Sequence, residues 1–416
     1  MNFNVISMLG LVYFMLFCSI FWVLLYLEKE KELSGDPIPK RFPLVSIIIP
    51  VYRNDTKKEI EKCVSSALDT TYKKKELILA WNGPKNEVFD FCKKLAKKNK
   101  VRLTETERVG KAVGMNQALK VAKGELFCCL DADSFFHRDA LEHMVGYFEN
   151  KNIGAVTSSM KVYKAENIWQ KIQWVEYIFA IYLRKLSSLI DCLYVVPGPG
   201  SMYKTDLVKN LGYFDENNLT EDMEIAFRIQ DAGYKIKNSL NSFVDTVAPK
   251  KLWVLIKQRI RWYAGFCDNL KKYKHMLLNP KTGMLGMFML PLSIVWVAVV
   301  IYSLAYLINQ LATSIWLNLK TLWLVGFDLD IFISRIMDTL RLNPTFMIWF
   351  AVILTGIGLL VIYLGLKMSR EDVRLKYKYP HYIAYLLIYS VLIGIFWIFT
   401  FGYLLTRKRL KKEDFW

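Results

Sequence analysis

Hydrophobic positions follow three different rhythms along the chain. Residues 5–27 carry no charged side chain, and a run of that length is enough to cross a bilayer. From residue 44 to about 248, short apolar runs alternate with stretches of helical period. Strands are predicted at 44–50, 77–80, 101–105, 126–130 and 155–160, and helices at 59–68, 88–99, 111–123 and 139–149. Such alternation predicts an α/β fold with a mainly parallel sheet covered by helices. Beyond residue 283 the rhythm becomes apolar again, with spans predicted at 284–311, 345–366 and 383–405.

Two helices between these regimes differ from the rest. Over 167–190, Ile168, Ile172, Val175, Tyr182, Leu186 and Leu189 recur at helical spacing, with Trp169, Trp174, Tyr177 and Phe179 adding aromatic surface. A helix of this kind lies in a membrane interface or in a protein core, and the pattern fits both. The second, 250–273, carries the most specific motif of the chain. The organisation expected is a transmembrane helix at 1–27, a linker at 28–43 marked by Gly35-Asp36-Pro37-Ile38-Pro39, and a catalytic domain at 44–248. An interface-helix region at 249–283 and a membrane domain at 284–416 follow, giving about four transmembrane helices in all. The stretch 312–344 holds Lys320, Asp328, Asp330 and Arg335. Each would cost about 2.5–3.5 kcal/mol at a span centre, so this stretch is expected to be interfacial or partly re-entrant.

Charge then orients these pieces. The uncharged start lacks the basic region of a signal peptide and no small-residue cleavage site follows, so residues 5–27 read as a retained anchor. Lys29, Lys31, Lys40 and Arg41 come directly after it and place the next domain in the cytoplasm. The loop at 367–382, rich in Lys367, Arg370, Arg374, Lys376 and Lys378, is expected on the same side. Four spans then carry the tail outside, whereas Arg407, Lys408, Arg409, Lys411 and Lys412 favour the cytoplasm; the two readings stand against each other. Of the 416 residues, 53% are hydrophobic, and the formal net charge is +18. That balance calls for acidic partners such as anionic membrane lipids or a phosphorylated substrate, and no nucleic-acid motif accompanies it. The seven cysteines form no C-x-x-C pair or zinc spacing, which predicts reduced core thiols.

Four segments could carry chemistry. The apolar run 126–130 ends in Asp131-Ala132-Asp133. Ligands of open α/β sheets bind beyond the carboxyl ends of strands, where two carboxylates can hold a hard divalent ion against a diphosphate. An acidic pair can equally cap a following helix. Gly110-Lys111 opens a helix, where free N–H groups and a lysine suit a phosphate; an ordinary helix entry looks the same. Thr220-Glu221-Asp222 reads either as an N-cap with acids in the first turn or as a carboxylate held as general base. Over 258–262, Gln258, Arg261 and Trp262 share one helix face while Arg259 points elsewhere. Arg261 could grip phosphate oxygens and Trp262 could pack on a sugar ring. A basic helix on an anionic membrane is the alternative.

Taken together, VSIIIPVYRND, GKAVGMNQAL, LDADSFF, PGPGSMY, TEDMEIAFRI and QRIRW occur in an order that resembles the family 2 glycosyltransferases. The resemblance is strongest to membrane synthases similar to hyaluronan, chitin and cellulose synthases, and covers about residues 44–265. It implies a Rossmann-like GT-A fold with Tyr52 and Asp55 near the nucleotide base and Lys111 near the nucleotide. Asp131 and Asp133 would hold the sugar nucleotide and a Mg2+ or Mn2+ ion, and Asp222 would be the base that deprotonates the acceptor. Gln258, Arg261 and Trp262 would sit at the diphosphate and the acceptor sugar, with Glu221 on the acceptor side, and the anomeric carbon would invert. One position departs from the pattern: relatives carry an acidic turn after the second strand, and here the sequence is Trp81-Asn82-Gly83-Pro84. The expected enzyme extends a polysaccharide from a nucleotide-sugar donor, UDP-sugar first, at the cytoplasmic face. Its rivals are a transferase adding one sugar to a lipid and a non-catalytic membrane binding protein.

Overall fold

A computed structural model describes residues 3–33, 35–327, 330, 333, 346–373 and 379–406. The catalytic region is an eight-stranded curled sheet in the order β3-β2-β1-β4-β7-β6-β8-β5. Strands β1 (Val45–Tyr52), β2 (Lys75–Asn82), β3 (Arg102–Thr106) and β4 (Leu126–Cys129) form a parallel half. The other half holds β5 (Ser134–Phe136), β6 (Ile153–Val162), β7 (Ser201–Lys204) and β8 (Lys235–Thr246). Here β7 runs antiparallel to both β4 and β6, and β5 antiparallel to β8. The sheet is therefore mixed where a mainly parallel one was expected. The reason lies in long-range pairing: by reversing, β7 brings its own start, the segment 197–200, to the carboxyl end of β4, where Gly200 N donates to Cys129 O at 2.7 Å.

Period-2 alternation divides the core into two layers. Ile47, Ile49, Val51, Leu77, Leu79 and Trp81 pack under helices α2 (Lys57–Leu68), α3 (Glu87–Asn99) and α5 (Ala140–Val145). Ile48, Ile78, Ala80, Phe127 and Cys129 pack under α4 (Lys111–Val121), α7 (Thr205–Asn210) and α8 (Glu221–Asp231). All seven cysteines are free thiols, six of them buried.

Helix α6 (Ile168–Leu189) begins with a reciprocal capping box between Asn167 and Gln170. It is covered on two sides. One side lies on β6 and β8 and the other on α11 (Phe346–Met368), with α1 (Phe3–Glu28) crossing its end. Tyr182 Oη donates to Trp22 O of α1 at 2.8 Å. The segment between α1 and β1 is docked through one carboxylate. Asp36 accepts from Tyr147 Oη at 2.8 Å, Ser239 Oγ at 2.9 Å and the amides of Asn241 and Leu240 at 3.1 and 3.2 Å.

Among the described residues, three helices are long and apolar enough to cross a membrane: Leu9–Glu28, Leu285–Leu324 and Pro380–Thr406. Helix α11 is a further apolar helix. The expected re-entrant stretch is corrected over its first part: residues 312–324 continue α10 (Leu290–Leu324) without a break. No glycine or proline interrupts them, and the helix stops at Gly326, whose φ of 62° closes the turn. Asp328, Arg335, the residues 374–378 and the tail from 407 lie outside the described residues.

Candidate active site

The carboxyl ends of β1 and β4 and the N-terminus of α8 surround one polar centre. Asp131-Ala132-Asp133 does not cap a helix. It bridges from the middle of the sheet to its far edge, entering β5 directly, with Val247 N donating to Asp133 O at 3.2 Å. Ser134 Oγ donates to Asp133 Oδ1 at 3.0 Å and also meets Thr246 Oγ1 at 2.9 Å. Both aspartates are thereby fixed by strand pairing on either side.

Lys111, the first residue of α4, stands across from this pair. Its Nζ lies 2.5 Å from Asp131 Oδ1 and 3.7 Å from Glu221 Oε1. Burial would lower the lysine pKa, but Asp131, Glu221 and Asp222 together hold it above its ordinary value. Glu221, expected beside the acceptor, is 3% exposed and lies on the lysine side. Gly198 closes the ring of contacts: a Cβ there would run into Lys111 Nζ, and its amide donates to Asp222 Oδ2 at 3.3 Å. The glycine is what lets the β7 loop approach this close.

Loss of hydration pushes the Asp222 carboxyl up to about 6; Glu221 adds to the shift, while Lys111, Arg261 and the Met223 amide oppose it. The amide bond, at 2.8 Å to Asp222 Oδ1, is the first-turn contact expected of an acid at a helix start. Thr220 itself donates no side-chain cap. Its hydroxyl accepts from Asn269 Nδ2 of α9 (Leu252–Lys272) at 3.1 Å, and a Cβ at Gly265 of α9 would run into it. That close seam is what carries Arg261 into the field of Asp222.

Tyr52 and Asp55 sit together after β1. Asp55 Oδ2 accepts from Tyr52 N at 2.6 Å. Desolvation pushes the Asp55 carboxyl up to about 6, with Asp131 among the charges that add to it. The Tyr52 ring lies against Gly83 at the end of β2. Trp81, the departure from the family pattern, faces the α3 layer. It is 1% exposed, meets Phe89 edge-on at 5.4 Å and donates from Nε1 to Gly83 O at 2.9 Å. An indole N–H thus closes the turn from below. Asn82, on the opposite face, accepts from Gly110 N at 3.2 Å and so ties β2 to the start of α4.

On α9, Arg259 does point away from Arg261. It enters the seam with α6 and pairs with Glu176 Oε2 at 2.6 Å. The structure therefore brings Lys111, Asp131, Glu221, Asp222 and Gly198 into direct contact, with Asp133, Asp55 and Arg261 in the same field. Gln258 and Trp262 gather around Arg259, which helical spacing sets apart from them; its long guanidinium reaches both, correcting that expectation. Sequence reasoning missed the Gly198 amide, Glu176 and Arg184, whose buried Nη1 has no hydrogen-bond partner and whose charge feels Glu176 and Asp222. The signal available was the presence of Glu176 and Arg184 on a helix rich in apolar and aromatic residues.

The donor set fits a hard divalent ion. Desolvation pushes Asp133 up to about 7, with repulsion from Asp131 next and the Ser134 hydroxyl opposing, so a cation between the two aspartates would relieve both costs. Among the described residues no three His, Cys, Asp or Glu side chains gather to hold an ion by themselves. An ion held by one or two carboxylates takes its remaining oxygens from phosphates and water, as Mg2+ commonly does.

Residues 46–212 match the family described as glycosyl transferase family 2. The chain carries a family 2 glycosyltransferase domain and is a glycosyltransferase. It is similar to poly-beta-1,6-N-acetyl-D-glucosamine synthase of Staphylococcus epidermidis, 27% identical over 313 residues, which cover 72% of this chain and 75% of that protein. It is likewise similar to the synthase of the same name from Staphylococcus aureus strain MSSA476, 28% identical over 308 residues, or 71% and 74% of the two chains. Among solved structures, a mannosyltransferase from Pyrobaculum calidifontis in complex with GDP-Man and Mn2+ matches with a TM-score of 0.54. It is 20% identical, over 78% of this chain and 95% of that one. The shared fold is GT-A, and the mixed sheet described above is its form here.

Proposed function

We propose that the protein is an inverting, processive synthase that extends a polysaccharide from a UDP-sugar at the cytoplasmic membrane face. The observation that carries the reading is the chain of contacts from Asp131 through Lys111 and Gly198 to Asp222, which joins a donor-side cluster to a buried carboxylate. Asp131, Asp133 and Lys111 bind the donor diphosphate, and Tyr52 and Asp55 flank the base. A divalent ion, Mg2+ or Mn2+, held by Asp131 and Asp133, stabilises charge on the departing diphosphate. Asp222 takes the proton of the acceptor hydroxyl. Its pKa near 6 leaves it ionised at neutral pH yet more basic than an ordinary aspartate. Arg261 steadies diphosphate oxygens, and Gln258 and Trp262 hold the terminal acceptor sugar. The names of the similar synthases favour N-acetylglucosamine as the sugar. The apolar helices support a multi-pass enzyme, and the basic residues after α1 favour a catalytic domain on the inside.

A transferase adding one sugar to a lipid needs the same donor site, so the test must read what is held after transfer. Purified protein is given UDP-N-acetylglucosamine with and without a short β-1,6-linked oligomer, and product size is followed by mass spectrometry beside nucleotide release. Long chains are expected, and Trp262→Ala should shorten them far more than it slows nucleotide release. A lipid bearing one added sugar as sole product at every donor excess would overturn the polymer reading.

A further inference from the structure

Arg259 lies one residue from Gln258 and three from Trp262, and its guanidinium serves both. It is fully buried. Nη1 donates to Gln258 Oε1 at 3.1 Å, Nη2 pairs with Glu176 Oε2 at 2.6 Å, and Cζ stands 4.1 Å from the centroid of the Trp262 ring. Arginine is a donor only, so the Gln258 atom facing it must be the oxygen, and the Gln258 amide group is left as a donor pointing away. The guanidinium also covers one face of the indole, which fixes its rotamer and leaves the opposite face for a ligand. Glu176 holds this guanidinium from α6, a different element, so the arrangement is braced from outside α9.

We propose that Glu176 and Arg259 are positioning residues that pre-set Gln258 as a donor and Trp262 as a platform for the acceptor sugar. The inference rests on the acceptor role given to Gln258 and Trp262 above. Side chains ordered beforehand lose no rotamer freedom when the ligand arrives, and two ordered side chains correspond to roughly 5-fold to 100-fold in binding. Lys111 and Asp131 take no part in these contacts, so donor handling should change less than acceptor handling.

The full-length protein in nanodiscs is assayed with UDP-N-acetylglucosamine and a β-1,6-linked N-acetylglucosamine pentamer. Arg259→Lys keeps a buried positive charge for Glu176 but cannot fork to Gln258 and cover Trp262. It should raise the acceptor KM by about 10-fold or more and change the donor KM less than about 2-fold, and Glu176→Gln should give the same direction with a smaller rise. In the double variant with Trp262→Ala, most of the Arg259→Lys effect should vanish, because the two changes disable one device. A 19F label on the indole at position 262 reads the positioning without substrate: one sharp line in the wild type, a broadened and shifted line in both variants. Unchanged acceptor KM in Arg259→Lys, an equal loss on donor and acceptor, or an unmoved 19F line overturns the proposal. An unchanged acceptor KM in Trp262→Ala alone instead overturns the acceptor reading on which it rests.

Discussion

Asp222 can accept a proton only when ionised, and its folded pKa near 6 lies above the ordinary 3.8. The acid limb of the rate profile should therefore fall near pH 6, with turnover rising as pH passes through it. Asp222→Asn keeps the size of the side chain but removes the base. Steady-state turnover should drop at least about 100-fold and the limb should disappear. Asp133, raised to about 7, must lose its proton before it can hold a cation. Apparent Mn2+ affinity should be about 30-fold tighter at pH 8 than at pH 5.5, by calorimetry with donor nucleotide present. The stability of the metal-free protein runs the opposite way. A raised carboxylate favours the fold while protonated, and that contribution is lost as pH climbs from 3.8 towards about 7. Mn2+ should thus raise Tm more at pH 8 than at pH 5.5. At this scale the sequence was legible where chemistry demands a residue type: Asp131, Lys111 and Asp222, singled out by motif and order, stand in one cluster, with Asp133 in its field. The Gly198 amide was not, because a backbone donor has no side chain to announce it, and the burial of Glu221 against Lys111 was not, because an acid at a helix start can face either way.

Among the elements, the seam between α8 and α9 carries the most consequence. Gly265 faces Thr220 with no room for a methyl group. Gly265→Ala should force the helices apart, costing about 1–3 kcal/mol of stability, seen as a lower Tm. It should lower turnover by roughly 100-fold if Arg261 moves by about 1 Å from Asp222. Thr220→Ala removes the opposing hydroxyl and methyl, so the double variant should recover part of both losses. Element positions were largely readable. The strands at β1, β2, β3 and β4 and helices α2, α3 and α4 stand within a few residues of expectation, since alternation and helical period are written locally. Strand direction was not readable: nothing within 201–204 says that β7 runs backwards, because its partners β4 and β6 lie far away in the chain. Likewise the spacing along α6 marks buried faces without saying what covers them, and the helix is covered on two sides.

At the level of the whole molecule, charge placement decides sidedness. A single cysteine in the loop 367–382, whose residues 374–378 lie outside the described part, should resist an impermeant thiol reagent in intact cells and react after permeabilisation. The background needs only a few replacements, since Cys267 alone of the seven native thiols is partly exposed. Labelling of intact cells would place that loop outside. Helix α10 with its preceding turn forms a 40-residue apolar helix, roughly 60 Å long at 1.5 Å per residue, about twice a 30 Å hydrocarbon core. Hydropathy alone had cut it at 311, where polar residues begin, although nothing there breaks a helix.

Gly365 gives the catalytic wall a mechanical connection. At that glycine α11 comes so close to α6 that a Cβ would stand 3.0 Å from the Ile178 carbonyl oxygen, two residues along from Glu176. In the bilayer arrangement proposed above, α11 is surrounded by lipid on its other side, and a helix meets a thinner or thicker bilayer by changing its tilt. With the α11 backbone held against the Ile178 carbonyl and its stiff, β-branched side chain, such a tilt is passed to α6 with little slack. Acyl-chain length then becomes a variable of the enzyme: vesicles of short and long lipids should differ in how tightly the growing chain is gripped, while donor affinity, set on the far side of the sheet's carboxyl edge, stays the same.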